Sequence, residues 1–453
     1  LLEKYLPSPY DTAMKILTPT IILFVAICCF AGDAPEDWHI RPLANEGKIL
    51  YKSQDPNGIF VFDPGIAVCP NGRIVACFGL GGPNNKNIEE VNESGNGFVY
   101  TSDDDGETWQ RRANFPMSHF RPFVAGQKLY ILGHRGNLRI MSSSDWGDKW
   151  SEVSELTKKQ QWHGSATNVW YKNNSIYLVM ERRIDGQMKD GWKVAELAPV
   201  LMRGNIRKDL TQKENWTFAS ELVFNKEVDD KTLDWFGIPF YDGYYPNVKR
   251  NLRGKSSFHP IGWLESNVVQ ITDPNHFWYD PKGKTFHIFM RAHTGITNIG
   301  CMLKAVEQPN GTIRTMFETS PSGKKRLYLP LPGGQMKFCV VYDEQTKLYW
   351  LLGTQSTDSM TRPEKLDAGR YCLGDNERRR LVLHFSKNMV DWCFAGVVSI
   401  GPVEKASHHY ANMVIKGDDL LILSRSGDES AKDAHNGNLA TFHRIKNFRK
   451  LVY

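Results

Sequence analysis

The sequence predicts an all-β protein, a six-bladed β-propeller of four-stranded antiparallel sheets. Two observations carry this. One short hairpin recurs six times in 453 residues, at 67–79, 123–134, 168–183, 277–293, 340–354 and 413–427. Each copy is an apolar run, a Gly/Asn/Asp-type turn and a second apolar run, as in FVAGQKLYILGH. The second observation is the pattern S-x-D-x-G-x-[T/K]-W, an Asp box, present at Ser102–Trp109 and Ser143–Trp150. Repeated β-units with a fixed turn signature build propellers or solenoids. An aromatic content of 12% without long amphipathic helical stretches agrees.

Each hairpin supplies the two inner strands of a blade, and the following segment supplies the outer two. The expected blades are 60–115, 120–158, 162–224, 264–320, 335–399 and 407–452. Blade five carries a degenerate box at Ser386–Trp392, and the segment Trp38–Lys52 is placed to add a strand that closes the ring. The spacing breaks between blades three and four, where an aromatic-rich insertion near 225–262 leaves room for a seventh blade. In the Asp box, Ser and Asp bond turn backbone, Gly takes a conformation other residues resist, and Trp packs between blades. Asp104 and Asp145 are therefore read as fold, not chemistry.

Residues 1–31 are read as an upstream extension plus a secretory signal peptide. Met14-Lys15 precedes the apolar run Ile21–Phe30 and the small pair Ala31-Gly32. Cleavage after Ala31 leaves a single domain, 32–453, secreted or periplasmic, with no stable membrane span. The net charge of +6 is not gathered into a block, so no nucleic-acid partner is expected. The cysteines of the mature chain (Cys69, Cys77, Cys301, Cys339, Cys372 and Cys393) lack metal-ligand spacing and read as thiols on strands. No cofactor motif is present. Loop carboxylates such as Asp428 and Asp433 are the candidates for a structural calcium.

In a propeller, inner strands begin and second strands end around one mouth of the central channel. Ionisable residues concentrate at these points. Second-strand ends bring His134, Glu181 with Arg182, Arg291 with His293, and Arg425. First-strand starts bring Asp63, Arg121, His163, Glu265 with Asn267, and His409 with Tyr410. Arg182, Arg291 and Arg425 occupy one position in three blades. Guanidinium groups facing one channel repel unless an anion joins them, and a carboxylate fits through forked bonds.

The chain resembles the sialidase-like superfamily of Asp-box propellers. The carrying segments are WHGSATNVWYKNNSIYLVMERR, LTQKENWTFASEL, GWLESNVVQITDP, PGGQMKFCVVYDEQTKLYWLLGTQ and DAHNGNLATFHRIKNFRKL. The resemblance implies a glycosidase with an arginine cluster on the substrate carboxylate, Glu265 as base and Tyr410 as nucleophile. A Tyr nucleophile suits an anionic substrate, which would repel a carboxylate. The chain departs from sialidases where their first blade opens with Arg-Ile-Pro, since Phe62-Asp63-Pro64-Gly65 stands there. Arg121 is the candidate substitute, and a uronic or keto-deoxy sugar stands beside sialic acid as substrate.

The expectation is a glycoside hydrolase cleaving a terminal acidic sugar from a glycan, with Asp63 or His163 as acid. Two alternatives stay open: a polysaccharide lyase working on a uronic acid through His and Tyr, and a non-catalytic carbohydrate-binding propeller.

Overall fold

The structure, a computed structural model, describes residues 41–85, 97–184, 193–228, 233–234, 250–252, 256–258, 262–294, 297–356 and 377–453. Residues 1–40, with the expected leader, Cys372 and most of the insertion lie outside the described residues. Residues Pro42–Tyr453 form one compact unit.

Six antiparallel sheets form a six-bladed propeller. Blade one is Phe60–Val68, Ile74–Gly81, Gly97–Ser102 and Gln110–Phe115. Blade two is Ser118–Ala125, Lys128–Arg135, Asn137–Ser143 and Ser154–Glu155. Blade three has an inner strand in two pieces, Gln161–His163 and Trp170–Lys172, then Ser175–Arg183, Leu197–Asn205 and Trp216–Phe218. Blade four is Gly262–Val269, Thr285–His293, Ile299–Glu307 and Ile313–Met316. Blade five is Cys339–Asp343, Leu348–Gln355, Arg380–Ser386 and Cys393–Ile400. Blade six is His408–Lys416, Asp419–Ser426, Leu439–Ile445 and, as its outer strand, Lys48–Lys52. The chain thus closes its own ring, as the position of that segment predicts.

Blade four corrects one sequence reading. The run Phe277–Tyr279 is not its inner strand but part of the connection between Val269 and Thr285. Phe277 is exposed, while Trp278 packs on His287. The true strand, GWLESNVV, interrupts its apolar pattern with Glu-Ser-Asn, because the strand bulges there.

The core is a set of clusters between neighbouring blades, not one central mass. Blades three and four, for example, share Val179, Leu201, Trp263, Phe286 and Ile288. Burial between sheets of this kind contributes about 25 cal/mol per Å² of apolar area. Polar clasps on the innermost strands add register. Asn168 meets Val268 through both amide atoms (2.6 and 2.8 Å), and Asn267 meets Phe338 and Val340 likewise (3.1 and 3.0 Å). Asn412 accepts from Ile66 N at 3.0 Å. Lys337 Nζ donates to Tyr410 O (3.1 Å) and Ala411 O (2.6 Å). Gly65 fills the same role by close approach: a Cβ there would lie 2.7 Å from Pro122 Cδ.

The two S-x-D-x-G-x-[T/K]-W segments join third to fourth strands. Ser102 Oγ donates to Asp104 Oδ1 and accepts from Gly106 N, both at 2.8 Å. Gly106 takes φ +89, and the Trp109 ring stands edge-on to Phe442 of the neighbouring blade. Ser143, Asp145, Gly147 and Trp150 repeat these bonds. Asp104→Ala is therefore expected to lower the melting temperature and leave turnover unchanged, which a thermal melt and an assay on the same sample check.

Four of the five described cysteines (Cys69, Cys77, Cys301 and Cys339) are buried free thiols, and Cys393 is exposed.

Candidate active site

At one end of the channel the inner strands of blades one, two, four and six carry the same β-bulge. Register shifts fall between Phe62 and Gly65, Ser118 and Arg121, Leu264 and Asn267, and His409 and Asn412. The bulged residues are Asp63 (φ 42), His119 (φ 59), Glu265 (φ 61) and Tyr410 (φ 52). Bulges re-aim side chains, and left-handed backbone at non-glycine residues clusters where function requires it. The second strands add Glu181 opposite His163, Arg291 opposite Leu264 and Arg425 opposite His409.

One part of the site gathers cations around a phenol. Arg291 Nη1 donates to Tyr410 Oη at 3.0 Å and lies 3.6 Å from Glu265 Oε2, while its Nε donates to Gln335 O at 2.7 Å. The Arg378 and Arg425 guanidinium carbons lie 5.8 and 5.6 Å from the Tyr410 ring centroid. Arg425 also covers Phe62 at 4.3 Å, and its Nε and Nη2 are buried without hydrogen-bond partners. Burial, then the charge of Arg378, brings Arg425 down to about 10. Burial, then the charge of Glu265, raises the Tyr410 phenol well above its usual value against the pull of Arg291 and Arg378. Glu265 Oε2 holds no hydrogen bond.

The other part gathers imidazoles and carboxylates. Asp63 Oδ2 sits 2.7 Å from His119 Nε2, and Ser165 Oγ donates to Asp63 Oδ1 at 3.0 Å. The His119 ring stacks on His134, with centroids 4.8 Å apart and planes within 6°. His163 Nδ1 donates to Glu181 Oε2 at 3.1 Å, and Ser266 supplies N (2.8 Å) and Oγ (2.6 Å) to Glu181 Oε1. Burial alone would raise Asp63, but the charge and hydrogen bond of His119, with Arg425 and Ser165, hold it far below the usual carboxylate range. Burial opposes charge on His119, yet Asp63, Glu265 and Glu181 raise its pKa. Burial, then the charges of His119 and His163, keeps His134 well below the usual histidine value.

These shifts set a pH dependence of stability. Asp63 is depressed, so its contribution is full above ~3.9 and fades as pH falls towards its folded value. His119 is raised, so its contribution is full below ~6.5 and is lost as pH climbs through its folded value. His134, His163, Glu181, Glu265 and Arg425 surround the pair. Asp63→Asn is expected to remove the loss of melting temperature that the wild type shows above ~6.5, as parallel melts across pH would show.

Several sequence-predicted residues do other work. Arg121 is 1% exposed and donates from Nη1 to Val179 O (2.8 Å) and from Nη2 to Ser165 O and Thr167 Oγ1 (2.7 Å each), its Nε being buried without a partner. It clasps blade two to blade three. Asn267 is the corresponding clasp from blade four to blade five. Arg182 follows inward-facing Glu181, so strand alternation turns it away, and it pairs with Glu221. His409 is fully buried and accepts from Arg378 Nη1 at Nδ1 (2.9 Å), so it positions that arginine. His293, two residues from Arg291 on the same strand, is buried opposite Gly262. His119 and Arg378 were not anticipated. The signal for His119 is its place two residues before clasp Arg121, as Glu265 precedes Asn267 and Tyr410 precedes Asn412. Arg378 lies in Glu377-Arg378-Arg379-Arg380, where sequence does not distinguish one arginine from the next.

Among the described residues no cluster of three or more His, Cys, Asp or Glu is arranged to hold a metal. Asp428 instead accepts from Ser430 N (2.8 Å) and pairs with Lys52 (2.9 Å), and Asp433 accepts from Asn436 N (2.8 Å). Among the described residues no helix is long and apolar enough to cross a membrane.

No protein-family model matches the chain, and no curated protein matches it. Solved structures do. A Dyadobacter fermentans protein of unknown function aligns with TM-score 0.50 and 13% identity over 90% of this chain and 99% of its own. The Hadza microbial sialidase Hz136 aligns at 0.49 and 12%, over 88% of this chain and 68% of its own. Penicillium chrysogenum alpha-L-arabinanase, complexed with arabinobiose, aligns at 0.46 and 10%, over 90% and 99%. At such identities the likeness is one of fold, that of a β-propeller.

Proposed function

We propose that the chain is a secreted or periplasmic glycoside hydrolase that removes a terminal acidic sugar from a glycan. The observation that carries this is the group of guanidiniums, Arg291, Arg378 and Arg425, around the Tyr410 phenol with Glu265 beside them. Gathered buried cations repel one another, and a substrate carboxylate relieves that while giving Arg425 the partners it lacks. Tyr410 attacks the anomeric carbon, and its proton passes to Glu265 Oε2. Both groups flank Arg291 Nη1 without a direct bond between them. Catalytic hydrogen bonds are often long in a free enzyme and tighten around substrate.

A second reading is a lyase on a uronic acid. His134 favours it, being held neutral with Nε2 unpartnered, as a base must be.

The test is turnover of aryl sialosides and uronic-acid polysaccharides, following reducing ends and near-ultraviolet absorbance together. Reducing ends without absorbance are expected. Absorbance rising with cleavage establishes the lyase, and tight binding without turnover establishes a carbohydrate-binding module. Export is tested separately: N-terminal sequencing of the exported protein should begin at Gly32.

A further inference from the structure

We propose that His119, held by Asp63, is the group that protonates the departing glycosidic oxygen, an assignment that rests on the hydrolase reading above. The backbone supplies the first argument. Asp63, His119, Glu265 and Tyr410 share one bulge and one left-handed conformation in four blades. A non-glycine residue held there costs about 1–3 kcal/mol, and such strain persists where the surrounding fold over-determines it. His119 belongs to that set by geometry, although its residue type differs from the rest.

An acid must hold a proton when substrate arrives. Asp63 is enclosed, with a side chain 4% exposed, and is kept ionised by His119, Arg425 and Ser165. The His119 side chain is 28% exposed, its Nε2 lies 2.7 Å from Asp63 Oδ2, and its Nδ1, buried and without a hydrogen-bond partner, is the nitrogen left to hold the proton that is given up. His163 is spent on Glu181. Asp63 is then a positioning residue: it fixes the ring and stabilises the imidazolium.

The steps balance. Tyr410 Oη bonds the anomeric carbon and yields its proton to Glu265. The bond from that carbon to the glycosidic oxygen breaks, its electron pair staying on oxygen, which takes the His119 proton and leaves as an alcohol. In the second half, neutral His119 takes a proton from water, and the hydroxide oxygen bonds the anomeric carbon. The bond to Tyr410 then breaks, and the phenolate recovers its proton from Glu265.

The experiment compares 4-nitrophenyl with methyl α-sialosides, and the same two β-glucuronides, for wild type, His119→Gln and Asp63→Asn. Nitrophenolate leaves without a proton, so kcat/KM of His119→Gln, which reports only the steps up to departure of the leaving group, should stay within about tenfold of wild type on it. On the methyl glycoside the variant should fall about 10²–10⁴-fold, the usual worth of a general acid. Asp63→Asn should fall in the same sense. The ratio of the two rates in one sample does not depend on how much of a variant is folded. Equal loss on both leaving groups, or no loss, overturns the assignment while leaving the hydrolase reading intact. A wild type inert on all four probes overturns both.

Discussion

Tyr410→Phe should keep its fold and lose turnover by about 10³-fold or more, the scale on which removal of a nucleophile acts. The phenylalanine ring preserves what Tyr410 contributes to packing, including its edge-on contact with His409 at 5.4 Å. The backbone at φ 52 stays clasped by Lys337 through Tyr410 O and Ala411 O. Only the oxygen disappears. Arg291 loses one acceptor at 3.0 Å but keeps Gln335 O at 2.7 Å. The stability cost should therefore be about 1 kcal/mol, that of a single hydrogen bond. Glu265→Gln should lower turnover as well, since an amide cannot take the phenolic proton. If Tyr410→Phe instead retains a tenth of wild-type turnover, Tyr410 only packs against the arginines.

The second large effect separates two buried arginines. Arg121→Met should lower stability by roughly 3–5 kcal/mol, because it removes one side of a buried polar network. Val179 O, Ser165 O and Thr167 Oγ1 would lose their donor, and blades two and three their innermost clasp. Arg425→Met should behave in the opposite way. Its Nε and Nη2 hold no partner, so their removal strands no acceptor. Its loss should raise KM for an acidic sugar by about 10²-fold, equivalent to ~2.7 kcal/mol, within the range of charge-assisted bonds. Denaturant melts and KM on the same pair of variants decide the matter. A destabilised Arg425→Met with unchanged KM would mean that this arginine is structural too.

The contrast shows how far the sequence could be read. Blades were legible because each repeats one turn chemistry between strands of period two, a local signal that survives burial. The first run of the blade-four hairpin was misplaced at Phe277–Tyr279, which is more apolar than Leu264–Asn267, where the bulge places Glu-Ser-Asn. The bulged positions of Asp63, Glu265 and Tyr410 were within reach of the sequence because strand starts at the mouth are few. The clasp role of Arg121 was not legible because type and position do not show that its Nη1 and Nη2 already bond Val179 O, Ser165 O and Thr167 Oγ1. The pairing of Arg182 with Glu221 was not legible because one residue of offset turns a strand side chain to the other face. Arg378 lies just before the third strand of blade five, Arg380–Ser386, outside the hairpin pattern used to search for the site.

The most direct test of the central claim is the mass of the protein after reaction with an activated fluoride of an acidic sugar whose ring carries a second, electron-withdrawing fluorine. Such a probe slows release of a glycosyl-enzyme more than its formation. The account predicts a mass increase of one glycosyl residue, mapped to the peptide holding Tyr410 and absent from Tyr410→Phe. An unmodified Tyr410 in a protein that cleaves uronic-acid polysaccharide with rising near-ultraviolet absorbance would contradict it.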